Sequence, residues 1–300
     1  MPVPAPPDLG PAFPPPSFVA PEAKTAKPGD GAWTALVADA AGKPPLLART
    51  TVHPDPNDRF MYAAIVAIDL RRVDLHFVAG TEEPKSTGVV KEHRPGVIPA
   101  ADHPDLLAVF NGGFMAKHGG WGARVGADTF LPPKDEACTV AFVNDGSLQI
   151  RTWTVLAPAA ASLSAFRQTP PCLLEQGTIS PLLESDPKTK RWGSSETGEL
   201  TIRRSTLGLD ASGKTLFYGL GEWITARGLA AAMRAAGAVD AAELDINWSY
   251  TRFLLYGRAK PGEAPEVTET LVPKIKHPSK GYVIKPSDRD FFYLARRRPG

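Results

Sequence analysis

Apolar runs and stretches of alternating apolar and polar residues predict a chain built mainly from β-strands. Residues 60–70 and 106–110 are mostly apolar, whereas residues 73–77 alternate apolar and polar side chains. Residues 250–256 and 291–294 are rich in the aromatic and aliphatic residues that suit strands. We therefore predict a strand in each of these five segments.

Two hairpins are predicted where turn residues separate segments that suit strands. The sequence NDGS at residues 144–147 separates residues 139–143 from residues 148–155, and its Asp-Gly pair accepts the positive φ that tight hairpin turns need. A second turn joins residues 205–210 to residues 215–218. Because strands greatly outnumber helices, the predicted class is α+β, a mainly β-sheet fold with few helices in a single compact domain.

Residues 243–249 form the segment around which the chain is organised, and we predict a strand there. Side chains alternate between the two faces of a strand. One face then carries the polar residues Glu243, Asp245, Asn247 and Ser249, and the other carries Leu244, Ile246 and Trp248. The polar row has two interpretations: a solvated sheet edge, or a site at the end of a strand.

A short amphipathic helix is predicted just before this segment. Thr225 suits the N-cap and Gly237 suits the position after the helix. The apolar residues between them recur at helical spacing, at Leu229, Ala232, Met233 and Ala236. Ligands often bind at the carboxyl end of a strand that such a helix leads into, which favours the interpretation of the polar row as a site.

Composition divides the chain into a tail and one domain. Residues 1–30 are rich in Pro and Ala without apolar periodicity, which is typical of a disordered linker or tail. We predict the domain over residues 31–300, with a motif-bearing core at residues 60–257 and an extension rich in Pro and Lys at residues 258–300. With 43% hydrophobic residues, the 300-residue chain can fill a sizeable core.

Charge and apolar content exclude several classes of partner. The 34 basic and 32 acidic residues give a formal charge of +2, so no overall field attracts nucleic acid or an anionic membrane. No apolar run is long enough to span a bilayer, and the first residues lack the features of a secretory signal. We predict no nucleic-acid partner and no transmembrane segment, and the oligomeric state stays open.

The chain contains two cysteines, Cys138 and Cys172. Two cysteines are too few for a disulfide framework or for a cysteine-based zinc site. One disulfide in an exported protein and two buried thiols both fit the sequence, and we favour the thiols.

Three short segments carry residues that suit ligand binding or acid–base chemistry. Asn111, Gly112 and Gly113 follow a buried strand, where paired glycines form either an anion-binding turn or an ordinary tight turn. Arg204 opens a predicted strand and is either a ligand for phosphate or carboxylate or a solvated charge. Glu222 is either a general acid or base or an exposed carboxylate near a helix N-terminus.

The six histidines are scattered, and no pair of them is spaced to share a helix face. We therefore predict neither a metal site nor a cofactor. His118 follows the Asn-Gly-Gly turn closely and either lines the same cleft or is an exposed loop residue. The sequence also lacks a Gly-x-Ser-x-Gly elbow, a Walker phosphate loop and a dinucleotide fingerprint.

Taken in order, these segments resemble the phosphodiester glycosidase family, which includes the N-acetylglucosamine-1-phosphodiester α-N-acetylglucosaminidase called the uncovering enzyme. The resemblance rests on FNGGF at residues 110–114, PCLLEQG at 171–177, RSTLGL at 204–209, and the helix followed by DAAELD at 240–245. It covers residues 60–257 and depends on four motifs in the family's order with similar gaps.

The chain departs from the family pattern after Asp245. The family has Leu-Asp-Gly-Gly-Gly-Ser here, whereas this chain keeps Leu244, Asp245 and Ser249 and has the sequence INW at residues 246–248. It resembles a bacterial branch with Leu-Asp-Ile-Asn at this point. Because glycines let a ligand approach the backbone, their replacement predicts a reshaped pocket.

The resemblance implies a hydrolase that cleaves the sugar–phosphate glycosidic bond of a sugar-1-phosphodiester in an envelope or extracellular glycan. Since a phosphate monoester leaves readily, the main needs are to stabilise an oxocarbenium-like centre and the phosphate charge. We assign Asp245 to the first need, and Arg204 with the Asn-Gly-Gly turn to the second. Glu222 or Glu243 is assigned to water activation. The other predicted substrate-binding residues are Asn247, Ser249 and His118.

Two other functions stay open on the sequence. A non-catalytic carbohydrate-binding or exopolysaccharide or envelope assembly protein on the same fold fits the missing glycines, and a metal-dependent phosphodiesterase is a third interpretation. The Pro-rich leader and the habits of the family predict a periplasmic or extracellular location, while a cytoplasmic location stays open.

Overall fold

A computed structural model describes residues 12–186, 188–258, 260 and 262–298, which fold mainly into strands. The strands are β1 (Thr34–Val37), β2 (Leu47–Val52), β3 (Ala63–Asp69), β4 (Val73–Val78), β5 (Leu106–Asn111), β6 (Ala123–Val125), β7 (Asp128–Leu131), β8 (Cys138–Val143), β9 (Leu148–Thr152), β10 (Leu163–Thr169), β11 (Leu174–Glu175), β12 (Thr178–Ile179), β13 (Ile202–Leu209), β14 (Thr215–Ile224), β15 (Asp240–Glu243), β16 (Phe253–Gly257), β17 (Glu266–Thr270) and β18 (Phe291–Arg296). The α-helices are α1 (Trp153–Leu156), α2 (Pro181–Ser185) and α3 (Ala226–Ala235), and short 3-10 helices lie at Lys91–His93, Ala100–Asp105 and Ala157–Ser162.

The strands form three antiparallel sheets in one compact domain, which confirms the predicted fold class. The large sheet has the order β1-β2-β3-β14-β13-β15-β11-β12. Two five-stranded sheets have the orders β7-β6-β10-β8-β9 and β17-β16-β5-β18-β4. Within the described part of the chain, no helix is both long enough and apolar enough to cross a membrane.

The predicted hairpins and helix are confirmed. The NDGS turn joins β8 to β9, and the second predicted hairpin is formed by β13 and β14. The predicted helix is α3, where the Thr225 hydroxyl accepts a hydrogen bond of 3.0 Å from the Gly228 amide. Gly237 follows the helix with a φ of +104°, a conformation that favours glycine.

The predicted strand over residues 243–249 is wrong after its first residue. β15 ends at Glu243, and residues 244–247 continue without regular structure. The Asn247 side-chain oxygen accepts hydrogen bonds from the Ser249 amide (3.0 Å) and hydroxyl (2.7 Å), which turns the chain. Trp248, assigned to the apolar face of that strand, is 54% exposed. The polar row is therefore a strand end followed by a turn, and not one face of a strand.

The preference for two thiols is also wrong, because Cys138 and Cys172 form a disulfide. β10 pairs Thr169 with Cys138, and the chain then brings Cys172 back beside β8. This proximity depends on strand register, which the spacing of the cysteines does not reveal. The bond links β8 to the segment before β11, and so it connects a five-stranded sheet with the large sheet.

The predicted tail falls partly outside the described residues, which begin at residue 12. Residues 12–29 contain neither helix nor strand. Within them, Phe13 and Ala20 are buried, and Phe13 packs in the apolar cluster between α3 and the large sheet.

The large sheet is covered on both faces. On β14, Phe217 belongs to the cluster formed with α3, whereas its neighbour Tyr218 packs on the opposite side. There the ring centroids of Tyr218 and Phe253 lie 4.8 Å and 5.7 Å from that of Phe110. Because Phe110 and Phe253 belong to the sheet that contains β5, this aromatic cluster joins two sheets directly under the end of β5.

Candidate functional site

A cleft of about 880 Å³ opens where β15 ends. Its lining comes from parts of three segments, residues 114–121, 190–199 and 245–248, and from Pro170, Ile202, Arg203 and Trp223. Its size is that of a small-molecule site. The strand ends and loops around β15 therefore converge on one concave surface.

The cleft combines positive charge with aromatic surface. Lys117, Lys190 and Arg191 line it together with the carboxylates of Glu196 and Glu199, and none of the three cations forms an ion pair within the described residues. The tryptophans that line it are Trp121, Trp223 and Trp248. Unpaired cations suit an anionic group, and indole rings suit an apolar face of the same ligand.

Asp245 is the buried acid of the cleft. It is 3% exposed, and its carboxylate accepts hydrogen bonds from the Asn247 amide (3.0 Å) and from the Arg289 guanidinium. Its backbone amide donates to the Gly112 carbonyl (3.0 Å), and its carbonyl accepts from the Ser205 hydroxyl (2.9 Å). Asp245 is therefore held from both its side chain and its backbone.

Burial raises the pKa of the Asp245 carboxyl above its ordinary value of 3.8. The Arg289 charge opposes this shift by lowering the pKa, while the nearby Asp290 charge adds to it. A carboxyl with a raised pKa that opens on a cleft is typical of acid–base or electrostatic catalysis.

Asn111 connects two sheets below the cleft. It is fully buried, and its side-chain nitrogen donates to the Ser205 hydroxyl (2.9 Å). Its side-chain oxygen accepts hydrogen bonds from the Tyr218 hydroxyl (2.9 Å) and the Arg252 amide (3.1 Å). The side-chain nitrogen also donates to the Gly112 carbonyl (3.1 Å), so the donors and acceptor positions of this amide are all engaged, and we assign the side chain to structure.

Gly112 and Gly113 are packed against Asp290 and do not line the cleft. The Gly112 amide donates to the Asp290 carbonyl (3.1 Å), and the Gly113 amide donates to the Asp290 carboxylate (3.1 Å). Asp290 also accepts a hydrogen bond of 2.7 Å from Arg167, which is fully buried. A Cβ at Gly113 would lie 2.7 Å from the Arg167 guanidinium carbon. The turn therefore binds an anion, but that anion is Asp290.

Arg204, predicted to bind phosphate, is 1% exposed at its side chain and lies below the cleft. Its guanidinium donates to Glu243 (2.7 Å) and to the carbonyls of Trp192 (2.7 Å), Gly193 (3.1 Å) and Leu200 (2.9 Å). It thus anchors the loop that carries the lining residues 190–199 and has no donor left for substrate.

Arg203, its neighbour on β13, lines the cleft instead. It donates to the Trp248 carbonyl (2.7 Å) and to the Glu222 carboxylate, whose side chain is 21% exposed. Because successive side chains of a strand point to opposite faces, one of two adjacent arginines reaches the cleft and the other does not.

Glu243 is completely buried against Arg204, and its second carboxylate oxygen has no hydrogen-bond partner among the described residues. Burial raises its pKa to about 7, although the Arg204 charge lowers it. A side chain sealed from solvent has no route to a water molecule in the cleft, so we assign Glu243 to structure.

The predicted site residues thus fall into those at the cleft, one in the turn beyond it, and those buried below it. Asp245, Asn247 and His118 line the cleft, and Glu222 contacts it through Arg203. Ser249 lies in the exposed turn beyond it. The predicted residues that support the cleft from below are Asn111, Gly112, Gly113, Arg204 and Glu243.

Sequence reasoning missed Arg203 as the cleft arginine, the cations Lys190 and Arg191, and the pair Arg289 and Asp290. A charged pair directly before the apolar strand at residues 291–294 was the available signal for Arg289 and Asp290. The basic and polar composition of residues 188–199 was the signal for the loop.

Comparisons with known proteins give a fold and no family assignment. No protein-family model matches the chain, and no curated protein sequence matches it. The structure is similar to the zebrafish N-acetylglucosamine-1-phosphodiester α-N-acetylglucosaminidase catalytic domain, auto-inhibited by its pro-peptide. That match has a TM-score of 0.51 and 16% identity, and it covers 89% of this chain and 88% of the other. The likeness is one of fold.

A second solved structure, a hypothetical protein from Synechocystis, matches with a TM-score of 0.50 and 12% identity. The match covers 86% of this chain and 65% of the Synechocystis chain. The first likeness supports a distant fold relationship with the zebrafish catalytic domain, and the second is to a protein whose name gives no function. The resemblance to a bacterial branch stays a prediction.

Proposed function

We propose that the protein is a hydrolase that cleaves the bond between sugar and phosphate in a sugar-1-phosphodiester of an envelope or extracellular glycan. The observation that carries the proposal is a buried acid, Asp245, that opens on a cleft lined by unpaired cations. The fold likeness to a phosphodiester α-N-acetylglucosaminidase catalytic domain supports the same reaction class.

In this proposal Asp245 and the cations of the cleft act on different parts of the substrate. Asp245, as a carboxylate, stabilises the positive charge that develops at the anomeric carbon when the bond to phosphate breaks. Lys117, Lys190 and Arg191 bind the phosphate and stabilise it as it leaves. Glu222, a partly exposed carboxylate that reaches the cleft through Arg203, is proposed to activate the attacking water.

Arg289 is proposed as a positioning residue for this chemistry. Its guanidinium binds the Asp245 carboxylate and also contacts the Gly113 carbonyl at 3.4 Å. The ring centroid of Tyr250 lies 4.2 Å from the guanidinium carbon and fixes the side chain further. Its positive charge keeps Asp245 ionised to a lower pH than burial alone would allow.

We also propose that the protein works outside the cytoplasm. The disulfide between Cys138 and Cys172 supports this location, because such bonds persist in oxidising compartments.

The proposal is tested by measuring phosphate-ester release from a panel of sugar-1-phosphodiesters. We expect turnover by the wild type and at least a ~100-fold loss in Asp245→Asn, which removes the charge with little change of shape. Asp74→Asn is the matched control, since Asp74 lies on β4 in a partly exposed ion pair with Arg297. Turnover by Asp245→Asn at the wild-type rate would contradict the assigned role.

A non-catalytic glycan-binding protein is the second candidate function. The observation that favours it is Ile246, which stands where the resembled family has glycine and fills space beside Gly193, where a Cβ would lie 2.5 Å from the Ile246 side chain. Saturable binding of the panel without product, from folded wild-type protein after long incubation, would favour this candidate.

The third interpretation, a metal-dependent phosphodiesterase, is tested with a chelator. Activity that survives excess chelator would exclude it.

A further inference from the structure

Trp223 and Trp248 form one wall of the cleft, which we call the tryptophan wall. The two residues are 57% and 54% exposed, and their ring centroids lie 6.1 Å apart with the planes at 47°. Exposed apolar surface that is rimmed by polar groups within a concave site usually contacts a ligand. One exposed tryptophan needs no explanation. Two exposed tryptophans side by side in the same cleft indicate a surface that contacts a ligand.

Arg203 fixes the wall in place. Its guanidinium carbon lies 3.6 Å from the ring centroid of Trp248, and it donates a hydrogen bond of 2.7 Å to the Trp248 carbonyl. Glu222 holds the same guanidinium from the other side. One face of the indole is thus held against a cation, while more than half of the residue's surface stays open. The wall is ordered before any ligand binds, which reduces the entropy that binding costs.

The wall lies next to the proposed reacting centre. Trp248 follows Asp245 by three residues, and it occupies a position where the resembled family has glycine. Asp245 and the cations Lys190 and Arg191 account for one sugar and its phosphate, which leaves the wall unused. A pyranose ring presents a face of C–H bonds that packs on an aromatic face, while its hydroxyls reach the polar rim.

We propose that the tryptophan wall is a stacking subsite for a second sugar ring. The natural ligand is then a phosphodiester within an oligosaccharide or polymer, and not a single sugar that carries a small ester. This inference rests on the proposed function for the reaction, but the wall binds the second sugar whether or not turnover occurs.

The test compares two substrates that share one hexose-1-phosphate. In the short substrate the phosphate carries a methyl group, and in the long substrate it carries a disaccharide. We expect the wild type to show a kcat/KM roughly tenfold higher for the long substrate. In Trp223→Ala and Trp248→Ala this ratio should fall towards one. Phe60→Ala is the control, since Phe60 is 75% exposed and is not among the lining residues, and it should keep the wild-type ratio.

Because the result is a ratio, a general loss of activity in a variant does not produce it. Equal kcat/KM values for both substrates in the wild type, or an unchanged ratio in both tryptophan variants, would overturn the proposal.

If the wild type hydrolyses neither substrate, the proposed function fails and the wall is tested by binding alone. Isothermal titration calorimetry with the long diester should then give saturable binding that Trp223→Ala and Trp248→Ala weaken roughly tenfold or more. No binding to the wild type, or equal affinity in the wild type and both variants, would refute the stacking subsite. The two proposals therefore fail in different experiments.

Discussion

Replacement of Arg204 by methionine should destabilise the protein strongly, whereas the same change at Arg203 should mainly reduce activity. The two residues are adjacent on β13, but Arg204 lies below the cleft and Arg203 lines it. Methionine keeps much of the length of the arginine stem while it removes the charge and all the donors. The pair of variants therefore separates a structural arginine from a cleft arginine.

The expected loss in free energy of unfolding follows from the groups that lose their partner when Arg204 is replaced. Glu243 is 0% exposed and loses the one oppositely charged partner that it has among the described residues, and the carbonyls of Trp192, Gly193 and Leu200 lose the Arg204 donor. Removal of one partner from a buried ion pair costs about 3–5 kcal/mol. Arg203→Met should cost about 1–2 kcal/mol, because its partner Glu222 is partly hydrated at 21% exposure.

The cost of Arg204→Met should depend on pH in a defined direction. Burial raises the Glu243 pKa from 4.5 to about 7, so this group stabilises the wild type fully below pH 4.5 and less as the pH rises to 7. Loss of the Arg204 charge raises that pKa further. At pH 5 the carboxyl is then neutral in the folded form of both proteins. At pH 8 the wild-type carboxyl ionises beside Arg204, whereas the variant must either keep its proton or bury an unpaired charge.

Urea denaturation of the oxidised protein at pH 5 and pH 8 measures these free energies of unfolding. The difference between Arg204→Met and the wild type should be larger at pH 8. Glu243→Gln, introduced together with Arg204→Met, should remove most of that pH dependence. The reasoning is refuted if Arg204→Met costs the same at both pH values, or if it costs less than Arg203→Met.

Three further predictions concern the disulfide, the Asn-Gly-Gly turn and the site acid. Replacement of both cysteines by alanine should lower the free energy of unfolding by roughly 4 kcal/mol, from loop-closure entropy over a separation of 34 residues, as measured by urea denaturation. Gly113→Ala should cost about 1–3 kcal/mol in thermal unfolding, since its Cβ would lie 2.7 Å from Arg167. Gly88→Ala, whose Cβ would meet only the Ser86 hydroxyl at 4.0 Å, should cost less than about 0.5 kcal/mol. In the proposed hydrolase, activity falls as the pH drops through the raised Asp245 pKa. Arg289→Met should move this acidic limb of the pH profile to higher pH, because the Arg289 charge lowers the Asp245 pKa in the wild type. An unmoved limb would contradict the role assigned to Asp245.

The sequence predicted most strands because their signals are local. The turn between β8 and β9 and the capping of α3 depend on residues within a few positions of each other. The segment after Glu243 failed because alternation of polar and apolar residues cannot distinguish a strand from a strand end and a turn. There the hydrogen bonds that Ser249 donates to the Asn247 side chain take the place of backbone hydrogen bonds to a neighbouring strand.

The candidate site was predicted less completely than the fold, because access to a cleft depends on tertiary packing. Asp245 was identified and does line the cleft, whereas Arg204 was chosen over Arg203. Strand alternation puts the two arginines on opposite faces of β13, but only tertiary packing decides which face borders the cleft. The partners of the Gly112–Gly113 turn, Arg289 and Asp290, lie more than 170 residues away, which a local pattern does not show.

The position of β18 affects how the protein is made. It lies between β5 and β4, so the sheet has a gap in its middle until residues 291–296 leave the ribosome. Until then β4 and β5 present unpaired backbone groups that other chains can pair with. Arg289 and Asp290, which hold the floor of the cleft, emerge just before that strand. Closure of this sheet and assembly of the cleft therefore both wait until residues 289–296 have been synthesised.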